Sequence, residues 1–495
     1  MGAQEPAADG GRQRHLEISG RLLQARVLLR DQPHAEGTAA TSAPGVDKGA
    51  RPLPDQQRGE VTEVTVFDNV QLKETQTALP DDLPLLVTGG TLHATEANSP
   101  QTKVTVKGEP AHMEGRGMGL TGPNIYIDRG ANKLSMEGPG RMEIARGADV
   151  LAMEGPEKTQ KVLDRDQANQ LRSPPTPVKI DWQKSMIFDG RKAHFQDGVN
   201  VSNDSRLLQT GWLDVNFQRP ISFSETGSQQ PPPTVERLTC GDGVFVENRT
   251  VEAGQQASYD RMQFQNFDLN NISGDFHGDG PGRLISVRRG GSQGFAMPGG
   301  PLAAGGRPPI AQPVGFNRQQ PGPTDPDQLT CTDLTFMNAV AGNKLRKDVV
   351  FHGRVRAKSA PAPLWTTTLE SNDPNQLGPD AFVLQKCDHL EVHGMSPVSG
   401  SSSGNLELIA LDNVIVEGTK FTARCARLTY SQAKDLLILE GDGRSDAQLF
   451  KQEGEGRQGT HINLRKILYF LKTNQVNTDG VRSFETNQAP GGTKK

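Results

Sequence analysis

Cysteine is scarce in this chain: there are 4 in 495 residues, at positions 240, 331, 387 and 425. No two of them have C-x-x-C spacing, which excludes a disulfide scaffold and a four-cysteine zinc site. Aromatic residues are 5% and hydrophobic residues 34% of the chain, and the mean hydropathy is -0.57. A thick core or a helical bundle would need more apolar surface than that. Charge of one sign is also lacking, since 54 Lys and Arg against 58 Asp and Glu leave a net charge of -4. The chain therefore has no global cationic field to recruit nucleic acid or anionic lipid, and no nucleic-acid partner is expected. No run of about 18 apolar residues is present to cross a membrane as a helix. The opening residues, MGAQEPAADGGRQRH, contain no apolar stretch of the signal-peptide kind, and Pro6 stands where a myristoylation motif wants Ser or Thr.

Glycine (55) and proline (34) are abundant, at about 18% of the chain against a usual ~12%. Long helices are excluded, and the remaining signal is an internal repeat. The cysteines share a context in LTCGDGVF from Leu238, LTCTDLTF from Leu329, QKCDHLEV from Gln385 and ARCARLTY from Ala423. VTGGTLHA from Val87, LTGPNIYI from Leu120, LQTGWLDV from Leu208 and INLRKILY from Ile462 align with a small or aliphatic residue at the cysteine position. Units of roughly 30 to 40 residues fit these spacings. Within each unit the apolar alternation of a strand slips by one residue, at Gly90-Thr91, Pro123-Asn124, Gly241-Asp242 and Thr332-Asp333. Such a slip, at turn-forming residues, predicts a corner or bulge that keeps both arms of a strand facing one interior. A second element, a short aliphatic strand running into a glycine turn, recurs in NKLSMEGPGRMEI, GRLISVRR, VVFHGRVRAK, LDNVIVEG and DLLILEGDGRSDA.

These patterns predict an all-β chain, an elongated stack of short antiparallel strands. A largely disordered segment is expected over 1–59, with lobes at 60–170, 176–290 and 329–485. The Gly/Pro-rich run 291–328 reads as a linker or loop, and 486–495 as a tail. The aliphatic residues after each anchor share the inward parity: Ile125, Ile127, Leu213, Val215, Leu334, Phe336, Leu390, Val392, Leu428 and Tyr430. Trp182, Trp212 and Trp365 are expected as core or edge packing.

The stretch from Val178 to Phe217, VKIDWQKSMIFDGRKAHFQDGVNVSNDSRLLQTGWLDVNF, and that from Phe421 to Phe450, FTARCARLTYSQAKDLLILEGDGRSDAQLF, resemble the organic-solvent-tolerance family of periplasmic lipopolysaccharide-transport proteins. The resemblance extends over most of 61–485 and rests on a degenerate apolar motif. It implies an open β-jelly roll whose ten inward residues line a trough for lipid or glycolipid acyl chains. It also implies a periplasmic or cell-envelope location, transport or bridging toward the outer membrane, and edge-to-edge strand pairing with envelope transport proteins or with itself. Removing each exposed CH₂ from water is worth about 0.8 kcal/mol, which makes such a lining physically sensible. A structural cell-envelope repeat protein with a filled interior is the alternative, and a polysaccharide-active β-helix enzyme a third.

Other chemistry is weakly signalled. GMGLTG from Gly117 satisfies G-x-G-x-x-G, but strand-like NIYID follows where a phosphate site needs a helix. GSSSG from Gly400 fits the nucleophile-elbow expression only as a Ser/Gly loop. His389, Glu391 and His393 alternate on one strand face, the nearest approach to a metal cluster, and the pattern is read as a solvated outer face. No catalytic residue, metal or cofactor is expected. Cys387 and Cys425 either lie on neighbouring strands within disulfide reach or are small residues filling a corner.

Overall fold

The computed structural model describes residues 16–29, 59–74, 85–97, 99, 101–115, 118–144, 177–221, 234–252, 254–289, 328–378, 381–395, 405–431, 434–452, 459–471, 473, 475–479 and 483–485. Most of the N-terminal segment, most of the 291–328 run, the tail, GSSSG and part of GMGLTG lie outside them. Among the described residues the chain is all-β, with antiparallel strands and one short helix. It divides into two compact units: Met1–Gly147 with Asp181–Gln196 and Phe217–Pro233, and Ala148–Ile180 with Asp197–Asn216 and Thr234–Lys495.

In the first unit, β1 (Leu16–Ser19) and β2 (Leu22–Leu29) lie against the two arms of β3 (Gly59–Glu74). β3 pairs with β4 (Leu86–Thr95), β4 with β5 (Lys103–Gly115) and β5 with β6 (Met118–Asp128). The ladder then forks. β7 (Lys133–Glu137) takes the Tyr126–Asp128 arm of β6, and β8 (Gly140–Ile144) takes the Met118–Thr121 arm. After β9 (Val178–Trp182), β10 (Ser185–Phe188) adds to β7 and receives β11 (Lys192–Ser202) over Ala193–Gln196. Each long strand thus serves two ladders, and a break in the middle makes that possible.

The break has a local cause. In β3 the register jumps between Phe67 and Val70, and the intervening Asp68 and Asn69 are both left-handed, with φ of 60° and 52°. Asp and Asn tolerate this region better than other residues with a Cβ, because their side chains bond the local backbone. β4 breaks at Thr88 to Thr91 and β5 to β6 at Lys107 to Ala111, opposite Asn124 to Gly122. The expected corners at Gly90-Thr91 and Pro123-Asn124 fall at these breaks. Gly122 leaves room for Met136, whose Sδ a Cβ at this position would displace.

The second unit repeats the plan. β12 (Arg206–Phe217) is followed by β13 (Val235–Gly241) and β14 (Val244–Glu252), joined by a tight turn with Asp242 and Gly243 at φ of 64° and 86°. One ladder runs from β12 through β14 to β15 (Gln255–Phe264). Another joins β13 to β16 (Phe267–Asn270) and β17 (Asp275–Asp279). β18 (Gly282–Arg289) pairs with β15 and with β19 (Leu329–Phe336), so the 290–328 run connects strands that are direct neighbours. β20 (Ala339–Asn343) pairs with β17, and β21 (Asp348–Ala362) spans both ladders, taking β20 on one arm and β19 on the other.

A segment carrying the short helix α1 (Pro374–Leu377) then leads to β22 (Phe382–Met395), β23 (Asn405–Gly418) and β24 (Phe421–Ser431), which pair in order. β24 forks to β25 (Leu436–Glu440) and β26 (Ala447–Lys451). β26 continues to β27 (Thr460–Leu464), while β25 receives β28 (Lys466–Phe470). β29 (Gln475–Asp479) closes the β28 ladder and β30 (Ser483–Glu485) the β27 ladder. The corners of β21 and β23 are left-handed pairs again, Gly353-Arg354 and Asp412-Asn413. At Thr332-Asp333, by contrast, no corner forms: β19 runs in unbroken register with β18 and β21.

Candidate functional site: the apolar inner face

All ten inward-parity residues are buried, from 0% exposure at Ile125 to 9% at Ile127. Ile125 belongs to the first unit, where Leu23, Val66, Leu92, Val106 and Ile125 stand directly opposite one another across β2 to β6. Four of these five are 0% exposed, and the end member Leu23 is 54% exposed. Leu390 and Leu428 belong to a row in the second unit, Phe351, Leu390, Ala410, Leu428, Leu439 and Ile467. A parallel row two residues along holds Val349, Val392, Leu408, Tyr430, Leu437 and Tyr469. Leu334 lies between Leu284 and Ala357 on the other ladder. Period-two alternation was therefore sufficient to find the inner face.

Aromatic side chains concentrate on that face. In the second unit Phe264 stacks on Phe267 with ring centroids 5.3 Å apart, and Phe336 lies 6.3 Å from Phe264 and 5.6 Å from Phe351. In the first unit the buried Trp182 packs on Phe195 and donates from Nε1 to the Gly138 carbonyl at 3.1 Å. There a cavity of about 20 Å³ is left between Met113, Met118, Leu120, Met142, Met186 and Phe217. That is room for about one water-sized group, in a lining too apolar to hold water.

One row of the second unit departs from this chemistry. Asn248, Asp260, Ser286, Thr332 and Ser359 stand opposite one another on β14, β15, β18, β19 and β21, and all are buried. Ser286 Oγ donates to Asp260 Oδ1 at 2.6 Å, and Arg288 Nη2 lies 3.8 Å from the same oxygen. Burial pushes the Asp260 carboxyl above the usual carboxylate range, against the pull of Arg288, Ser286, Ser258 and Asn248. The reverse face of these strands is covered by the α1 segment, whose Leu369 packs with Ile285, Val287, Cys331 and Ala360. Arg261 Nη2 donates to the Thr367 carbonyl and Lys358 Nζ to that of Leu369, both at 2.9 Å. This cover buries the reverse face at Cys331 while Thr332 and Leu334 are buried on the other, so β19 is buried on both faces, which in the sequence imitates a slipped strand.

His389, Glu391 and His393 do share the outer face of β22, while Cys387 points inward. The structure adds His352 to them, from β21, which the sequence did not reveal because it lies 37 residues away. Several outward carboxylates are held by neighbouring bases: Arg141 to Asp181 and Arg237 to Asp268 at 2.7 Å, and Lys466 to Glu440 at 2.9 Å. The four cysteines are buried and free, and burial pushes each thiol up to about 12. Among the described residues no helix is long and apolar enough to cross a membrane. No protein-family model matches the chain, and no curated protein matches it.

Proposed function

We propose that the protein binds acyl chains of a lipid or lipopolysaccharide-type glycolipid without transforming them, as the likeness to periplasmic lipopolysaccharide-transport proteins implies. The observation that carries this is the continuity of the inner face: across six strands one row is wholly apolar and the row two residues along carries no polar group but the phenols of Tyr430 and Tyr469. A sandwich needs an apolar core, but it does not need rows so little interrupted by polar groups over so many strands. The methionines around the small cavity add adaptability, because unbranched thioethers re-pack at low cost when a chain enters. In this reading the protein works in the cell envelope and pairs with partners through its strand edges.

Native mass spectrometry of the full chain from a cell-envelope extract tests the proposal. Adducts of acyl-chain mass, released by organic solvent and reduced in a Met142→Phe variant that fills the cavity, are the expected outcome. A wild-type protein free of adducts would refute it. Leu334→Asp is unsuitable, since a carboxylate at a site 2% exposed would unfold the strand itself.

A second reading has its own observation. The phenylalanine cluster around Phe264 and Phe336 fills the interior of the second unit, as a structural repeat protein acting by protein contacts would have it. An adduct-free protein favours this reading.

A further inference from the structure

The His352 and His389 pair on the outer sheet face belongs to neither reading. The two residues are direct cross-strand partners on β21 and β22, and their Nδ1 atoms are 3.2 Å apart. The rings are nearly perpendicular, with centroids 4.7 Å apart and an interplanar angle of 69°. His389 donates its other nitrogen, Nε2, to Glu391 Oε1 at 2.9 Å. Glu391 Oε2 accepts from His393 Nε2 at 3.3 Å. A carboxylate on Nε2–H fixes the His389 tautomer in which Nδ1 carries a lone pair. In this tautomer the lone pair accepts from His352 Nδ1–H, and an ion that takes both nitrogens leaves the His352 proton on Nε2 instead.

His352 meets His389 from β21, so that two imidazole nitrogens converge on the outer face, with a carboxylate behind one of them.

From this geometry we infer that His352 and His389 form a binding site for a Zn²⁺-class divalent ion. Two nitrogens each about 2.0–2.1 Å from a tetrahedral zinc stand about 3.3 Å apart, close to the separation present, whereas adjacent corners of a square-planar ion would need about 2.8 Å. Among the described residues no three His, Cys, Asp or Glu side chains gather as a closed cage, so the protein supplies two ligands. The other positions are open to water or to a donor from a second molecule. His389 is 26% and Glu391 27% exposed at the side chain, which leaves the ion accessible from solvent. Glu391 is a positioning residue, since it acts through His389.

Calorimetric titration of the full chain with Zn²⁺ alone, at pH 7.5, tests the assignment, with tetrahedral Co²⁺ absorption bands as the geometric readout. One ion per chain is expected in the wild type. His352→Gln and His389→Gln should each weaken binding at least tenfold and abolish the Co²⁺ bands. Glu391→Gln should weaken it about 10–100-fold and keep the bands. His277→Gln, on the same face but bound to Asp279 at 3.0 Å, should leave both readouts unchanged. Circular dichroism of each variant establishes that it is folded. Absence of binding in the wild type, or wild-type affinity in either the His352 or the His389 variant, would overturn the inference.

Discussion

At the residue scale, the informative groups are polar ones that the fold forces together. His352 shows the effect of pH most directly. Its folded pKa lies below the ordinary 6.5, so as pH falls the unfolded chain takes up a proton first and gains on the folded one. Stability from this group is complete above 6.5 and is lost as pH falls through the folded value; Glu391, depressed from 4.5, adds its own loss lower down. Glutamine at 352 cannot titrate. In the presence of a chelator, the His352→Gln variant is therefore expected to lose less stability than the wild type between about pH 6.5 and 5. Urea denaturation at a series of pH values checks this, and parallel curves for the two proteins would disprove it.

At the scale of the element, the corner is the device that lets one strand serve two ladders. Phe67-Asp68-Asn69-Val70 and Leu411-Asp412-Asn413-Val414 are the same solution: two left-handed residues followed by a valine that is 2% or less exposed. Asn413→Val puts a β-branched residue at a φ of 55° and is expected to cost about 1–2 kcal/mol, while Asn413→Gly should fall within about 0.5 kcal/mol of wild type. Chemical denaturation measures both, and equal stabilities for the valine and glycine variants would show that the corner is not strained in this way. Much of this layer is legible in sequence, because alternation, a turn pair and a buried valine are all local. Ile125, Leu390 and Leu428 declare their face through neighbours two residues away. The exception at Thr332-Asp333 comes from Leu369, which covers the back of β19 from more than thirty residues downstream. His352 beside His389 is equally out of reach, since cross-strand register over a corner is set by the whole ladder and not by spacing.

For the molecule as a whole, what matters is where the pairing stops. Among the described residues β2 pairs only with β3, and its exposed side chains include Leu22, Leu23, Val27 and Leu28, at 52%, 54%, 48% and 55%. Leu22 and Leu23 point to opposite faces, so among the described residues neither face of the strand is covered. Proteins ordinarily protect such an edge with lysine, proline or bulges, because unpaired backbone beside apolar side chains recruits another strand; β2 has one register shift, between Arg26 and Val27, and apolar residues on both sides of it. Leu23 also ends the apolar row through Val66, Leu92, Val106 and Ile125, so a strand added here from a second chain would extend the inner face without a gap. The proposed edge pairing then predicts association through β2. Sedimentation velocity of the wild type should show mass rising with protein concentration, and a Leu23→Lys, Leu28→Lys variant should stay monomeric with an unchanged melting temperature. Two lysines on one edge strand repel a like partner and cover no buried site, so the fold has little reason to respond. A wild type that remains monomeric at every concentration would leave the edge to a different protein, and association that survives both lysines would place the contact elsewhere.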